Sequence, residues 1–156
     1  VFATGAARAN QASAGTALDL TNLALGRAAV MKQKTLDGLP ISVGNGMRLL
    51  VGPNLELAAR QLTVSVAATQ TANANVYAGF IQPVVEPQIQ GNRWYLFADP
   101  NVAPVIEVVF LNGQRAPEVT QDEDFRTSGI AWKVELPYGV GAIDYRGGYK
   151  NPYVAS

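Results

Sequence analysis

Met47-Arg48-Leu49-Leu50-Val51-Gly52-Pro53-Asn54-Leu55-Glu56-Leu57-Ala58-Ala59-Arg60-Gln61-Leu62 changes its hydrophobic period halfway along. The first five residues are a short apolar run bounded by turn residues, the mark of a buried strand. Gly52-Pro53-Asn54 breaks it, and Asn54 is placed to cap the next element. Leu55, Ala58, Ala59 and Leu62 then recur at i, i+3, i+4 and i+7, the spacing of a helix with one apolar face. A strand running straight into an amphipathic helix is therefore the expected nucleus of the fold.

Upstream, Thr16 or Asp19 could cap a second helix running to about Lys34, where Lys32 and Lys34 suit the negative end of the helix dipole. At 100° per residue Leu20, Leu23, Ala24, Ala28 and Met31 form one apolar face, and Leu18, Leu25 and Ala29 a stripe nearly opposite. A helix apolar on two sides must be covered twice, either by two layers of its own domain or by another subunit. Asp37-Gly38 and Gly44-Asn45-Gly46 read as turns. Residues 3–15 are small, polar and aperiodic, which predicts a flexible start with the look of a cut or processed end.

Downstream, residues 69–75 are polar and rich in breakers, so a mobile surface loop is expected there. β-Branched and aromatic residues then recur in short runs punctuated by Pro, Gly and Asn. Strands are predicted at 82–85, 93–98, 105–111, 114–119, 130–136 and 142–145. Asn112-Gly113 is the favoured pair for a type I′ hairpin turn, because both positions need positive φ. A helix-rich half followed by a strand-rich half gives an α+β class.

Charged residues make up 15% of the 156-residue chain, against a usual share of about 25%. Either partners cover part of the surface, or a compact monomer relies on Ser, Thr, Asn and Gln. Twelve basic residues balance twelve acidic ones, so no overall field draws nucleic acid or an anionic membrane, and sequence-specific nucleic-acid binding is not expected. The distribution is uneven: residues 1–93 hold seven basic and four acidic groups, residues 94–156 five and eight. Such polarity would favour head-to-tail contacts between copies.

The chain has neither cysteine nor histidine. Disulfides, thiolate nucleophiles and sulfur-built zinc sites are thereby excluded, and so are most hydrolase and metalloenzyme designs. No apolar run approaches the roughly 20 residues of a membrane-spanning helix, and no signal peptide opens the sequence. These features lead us to expect a soluble intracellular protein with no cofactor.

Asp122-Glu123-Asp124 is the densest acidic cluster. It is expected on a loop as a solvated turn; the alternative is a carboxylate-dependent hydrolase or cation site drawing on these residues or on Asp144. Pro40-Ile41-Ser42-Val43-Gly44 resembles a nucleophile elbow but lacks its first glycine, and no histidine is present to deprotonate the serine. Gly139-Val140-Gly141 opens like a dinucleotide fingerprint, yet Asp144 stands where the third glycine belongs. Trp94, Tyr95 and Phe97 could stack on bases, but strand alternation puts Trp94 with Leu96 on one face and Tyr95 with Phe97 on the other, which suits core packing. Arg146, beside Gly147-Gly148, suits either a multidentate contact to a partner or an ordinary salt bridge.

Several of these blocks resemble, in the same order, those of Mu-like phage major head subunits and related prophage capsid proteins. They are Leu49-Leu50-Val51-Gly52-Pro53 with its helix, Trp94-Tyr95-Leu96-Phe97-Ala98-Asp99-Pro100, Phe110-Leu111-Asn112-Gly113, and Asp144-Tyr145-Arg146-Gly147-Gly148-Tyr149-Lys150-Asn151. The blocks span roughly residues 18–151. The resemblance implies the tailed-phage capsid fold, an axial lobe plus peripheral-lobe strands, of which this chain would be a C-terminal fragment. Residues 1–17 would be a flexible segment, 18–104 the axial-type α+β lobe and 105–156 β-rich strands of the peripheral lobe. The implied role is that of a structural subunit and not an enzyme, assembled in the bacterial host cytoplasm and resident in the virion capsid. Its partners would be copies of itself, in hexamers and pentamers, and other phage head proteins. Arg27, Met31, Arg146 and Tyr149 are the candidate subunit contacts. The competing reading is another virion component or an adhesion-type β-rich binding module.

Overall fold

A computed structural model describes residues 2–4, 9–63, 77–124 and 128–152. The chain divides into two compact units, one comprising residues 1–105 and 143–156, the other residues 106–142. The segment expected as a single peripheral stretch, 105–156, is thus shared between the two.

The first unit is built on a four-stranded sheet. Its strands are β1 (Met47–Val51), β2 (Ile81–Val85), β3 (Trp94–Phe97) and, after the second unit, the strand Gly148–Asn151 that pairs with β3. β1 lies at the centre, parallel to β2 and antiparallel to β3. Leu49 sits opposite Leu96, and Leu96 opposite Tyr149. One face of these strands, Met47, Leu49, Val51, Ile81, Trp94 and Leu96, is buried, each large apolar side chain contributing about 1.5–3 kcal/mol. On the other face Tyr95 and Phe97 stack with ring centroids 6.3 Å apart, and Phe2 leans on both. The two-sided cover read from alternation in this block is what the strand receives.

Two helices complete the unit. α1 (Leu20–Met31) is capped by Asp19, whose Oδ1 accepts from the Asn22 N–H at 2.7 Å, and it ends at Met31 with Lys32 as its C-cap, short of the expected Lys34. Thr16 instead ties the opening segment to the last strand, its N–H donating to Asn151 Oδ1 and its Oγ1 accepting from Asn151 Nδ2. α2 (Glu56–Thr63) comes after a single 3-10 turn, Pro53–Leu55. Asn54 is inside that turn and caps nothing, because Pro53, with φ already fixed, starts the helical geometry one residue earlier. The predicted apolar face is nonetheless the one used: Ala59 is buried, and Leu55, Ala58 and Leu62 pack against the core.

Residues 9–16, predicted as part of a flexible start, run along the outer edge of the strand Gly148–Asn151. Ala12 N–H donates to Lys150 O and Lys150 N–H to Asn10 O, both at 3.0 Å. Asn10 is buried, with its Oδ1 accepting from Ala3 N–H and its Nδ2 donating to Tyr145 O. At the opposite edge β2 carries Pro83, which has no N–H to offer another strand. The predicted mobile loop 69–75 lies outside the described residues.

The second unit is a long two-stranded ribbon. β4 (Ile106–Phe110) pairs with β7 (Tyr138–Ala142), and inside that pair β5 (Glu118–Asp124) pairs with β6 (Gly129–Glu135); Gly148–Asn151 is therefore β8. Asn112 and Gly113 have the expected positive φ, 51° and 73°. They do not close a hairpin, however, since β4 and β5 are not partners. Pro117 interrupts what would be the return strand and withholds an N–H from it, so β5 begins only at Glu118. The strand predicted at 114–119 is corrected to Glu118–Asp124, and the one predicted at 142–145 to β7 and β8. The acidic cluster is likewise corrected from loop to strand, with Asp122 opposite Ala131 and Glu123 opposite Ile130. The exposed Asp122 and Glu123 keep their carboxylates in water, so strand pairing costs them little.

Candidate functional site

Among the described residues no group of three His, Cys, Asp or Glu gathers to hold a metal ion. Nor is any described helix long and apolar enough to cross a membrane. The features that stand out are surfaces.

The first is the outer side of α1. Leu23, Gly26 and Val30 form its buried stripe, which falls between the two faces predicted from the sequence. Gly26 decides this: a Cβ there would stand 2.9 Å from the Tyr149 ring and 3.1 Å from Trp94, so only glycine lets the helix settle onto the aromatic pair. Leu25, 62% exposed, Leu20 and Met31, 44% exposed, are left outside. Leu20, Ala24, Leu25, Ala28 and Tyr77 line an open groove of about 550 Å³ on that side.

The four predicted contact residues lie at different depths. Arg27 is half-buried; its Nη2 donates to Gly44 O at 2.8 Å and its guanidinium lies 5.5 Å from the centre of the Tyr77 ring. Met31 is open to solvent. Tyr149 is only 9% exposed and packs on Trp94 with ring centroids 5.8 Å apart; that burial pushes its phenol pKa up. Arg146 binds its own chain in three ways: Nε donates to Lys34 O at 2.8 Å, Nη1 to Asp144 Oδ2 at 2.9 Å, and the guanidinium lies 5.0 Å from the centre of the Tyr145 ring. Burial raises the Asp144 carboxyl, but the Arg146 N–H, the Arg146 guanidinium and the Tyr145 N–H together outweigh it and leave its pKa below the ordinary value. Asp144 in turn raises Arg146. Of the two roles read for Arg146, the intrachain ion pair is formed.

The second surface is the ribbon itself. None of its described residues is buried. Ile106, Val108, Tyr138 and Val140 are more than half exposed or at that threshold on β4 and β7, as are Val119, Ile130, Trp132 and Val134 on β5 and β6. An isolated two-stranded hairpin is marginal in water, and apolar side chains exposed along one gain from cover. Sequence reading located the strands here but not the surface. The signal was the alternation Ile130-Ala131-Trp132-Lys133-Val134 in a segment with only one strand beside it.

No curated protein matches the chain. The family described as phage capsid protein matches residues 1–151.

Proposed function

The chain belongs to the phage capsid protein family, and from that premise we propose that it is a Mu-like head-shell subunit that self-assembles into capsomers. The family is structural, and the α+β architecture is consistent with a capsid domain. In this reading the first unit, including the returning strand β8, is the axial lobe, and residues 106–142 are peripheral-lobe strands. Copies of the chain form hexamers and pentamers, other head proteins join them, and the virion capsid is the place of residence after assembly in the host cytoplasm. Met31 and the outer side of α1 are contact surfaces. Arg146 holds the backbone at Lys34 in place for such a contact, and Arg27 does the same at Gly44.

One observation carries the proposal: a 37-residue unit whose described side chains are all at least partly open to solvent, in a protein with few charges to keep it apart from its neighbours. Shell subunits have that need for partners, since symmetric closure sums many modest contacts. The same ribbon also fits a binding module of another virion component that presents it to a different molecule. Negative-stain microscopy of the protein expressed with its neighbouring genes separates the two. Closed particles or capsomer rings are expected; persistent monomers under those conditions contradict the capsid role and favour the module.

A further inference from the structure

The β5–β6 ribbon has one face that gathers its large apolar residues. Its register puts Val119 opposite Val134, Gln121 opposite Trp132 and Glu123 opposite Ile130, so Val119, Ile130, Trp132 and Val134 share a face with Gln121 and Glu123. Each is more than half exposed. The α1 groove has complementary relief: Ala24 and Ala28 are small, while Leu20, Leu25 and Tyr77 are large. A single exposed tryptophan entering a groove with small residues in its lining is the arrangement that concentrates binding energy at protein interfaces.

Charge selects between the available partners for this face. Residues 106–142 contain six acidic and three basic residues, whereas the rest of the chain contains nine basic and six acidic. Two ribbons laid together bring like charges together; a ribbon laid on the first unit of another copy brings opposite ones together. Exposed Lys32 and Lys34 come directly after the C-terminal end of α1, next to the groove-bearing helix.

We propose that the Trp132 face of one copy's ribbon docks into the α1 groove of a second copy, head to tail. Such a contact is heterologous, so each joined pair keeps one free ribbon and one free groove, and repetition generates a ring where the rotation closes. The proposal rests on the capsid reading only in requiring that copies associate.

Because the chain has no cysteine, the contact can be trapped cleanly. Full chain carrying Thr21→Cys, in the groove lining, is mixed with differently tagged full chain carrying Gln121→Cys, which lies opposite Trp132 on the same face and leaves the ring in place, and the mixture is oxidised under assembly conditions. The mixed disulfide is expected to exceed the share given by random pairing, and to fall as salt screens the charges. Dominance of the Gln121→Cys self-dimer overturns the proposal in favour of ribbon pairing. Absence of the mixed product while capsomers still form overturns it and spares the capsid reading. A mixed product from chains that never form capsomers upholds the docking and removes the capsid reading instead.

Discussion

Gly26 is the residue on which the seating of α1 depends. Gly26→Ala gains roughly 1 kcal/mol of helix propensity but drives a methyl group into Tyr149 and Trp94, and overpacking of this kind costs about 1–3 kcal/mol. The expected outcome is a net loss of stability, read as a lower urea midpoint with an unchanged slope. Asp144 supplies a pH-dependent increment. Its folded pKa is depressed, so the stabilisation is complete above the unfolded carboxyl value of about 3.9 and is lost as pH falls through the folded value. Asp144→Asn should therefore melt below the parent at pH 7, and the gap should close in acid. The opposing faces of Trp94-Leu96 and Tyr95-Phe97 were legible because strand alternation is local. The stripe that α1 buries was not, because a helix with apolar residues on several sides does not say which one a glycine will let closest to its neighbours.

Elements were legible where the period was strong and the stop signals were local. β1, with Gly52-Pro53 closing it, and the apolar face of α2 come directly from the residues. Pairing is a different matter. Asn112-Gly113 specifies its own dihedral angles, but whether the flanking strands pair depends on Pro117 and on β7, nearly thirty residues away, which offers Tyr138 to Phe110 and Val140 to Val108. The ribbon surface was illegible for the same reason, since exposure is a property of what lies alongside a strand. A prediction for Trp132→Ala rests on that exposure. At 66% exposed, the side chain supports little of the isolated chain, and the thermal midpoint should move by no more than about 0.5 kcal/mol's worth. Assembly, measured as sedimenting material, should drop sharply. An equal fall in both would mean that the ring is part of a fold-sustaining core.

At the scale of the whole molecule the chain is two units of opposite character, one with a dense aromatic and aliphatic core and one with none among its described residues. The sequence foreshadowed this in its low charge content and in the acidic bias of its second half; the lobe division at 104 came from the resemblance and from no residue pattern. The return of β8 to pair with β3, locked by the bonds from Asn10 Nδ2 to Tyr145 O and from Thr16 N–H to Asn151 Oδ1, is a long-range event that no local pattern records. Single substitutions of Asn10 or Asn151 to Ala should release residues 9–16 and raise proteolytic cutting there, at a stability cost of about 1–3 kcal/mol for the unpaired buried groups left behind. The central claim is that other chains complete the 106–142 unit. Amide hydrogen exchange compared between dispersed and assembled protein tests it most directly: protection across 118–124 and 129–135 should rise on assembly while that of β1 and β3 stays constant. Equal exchange of the ribbon in both states would contradict the account.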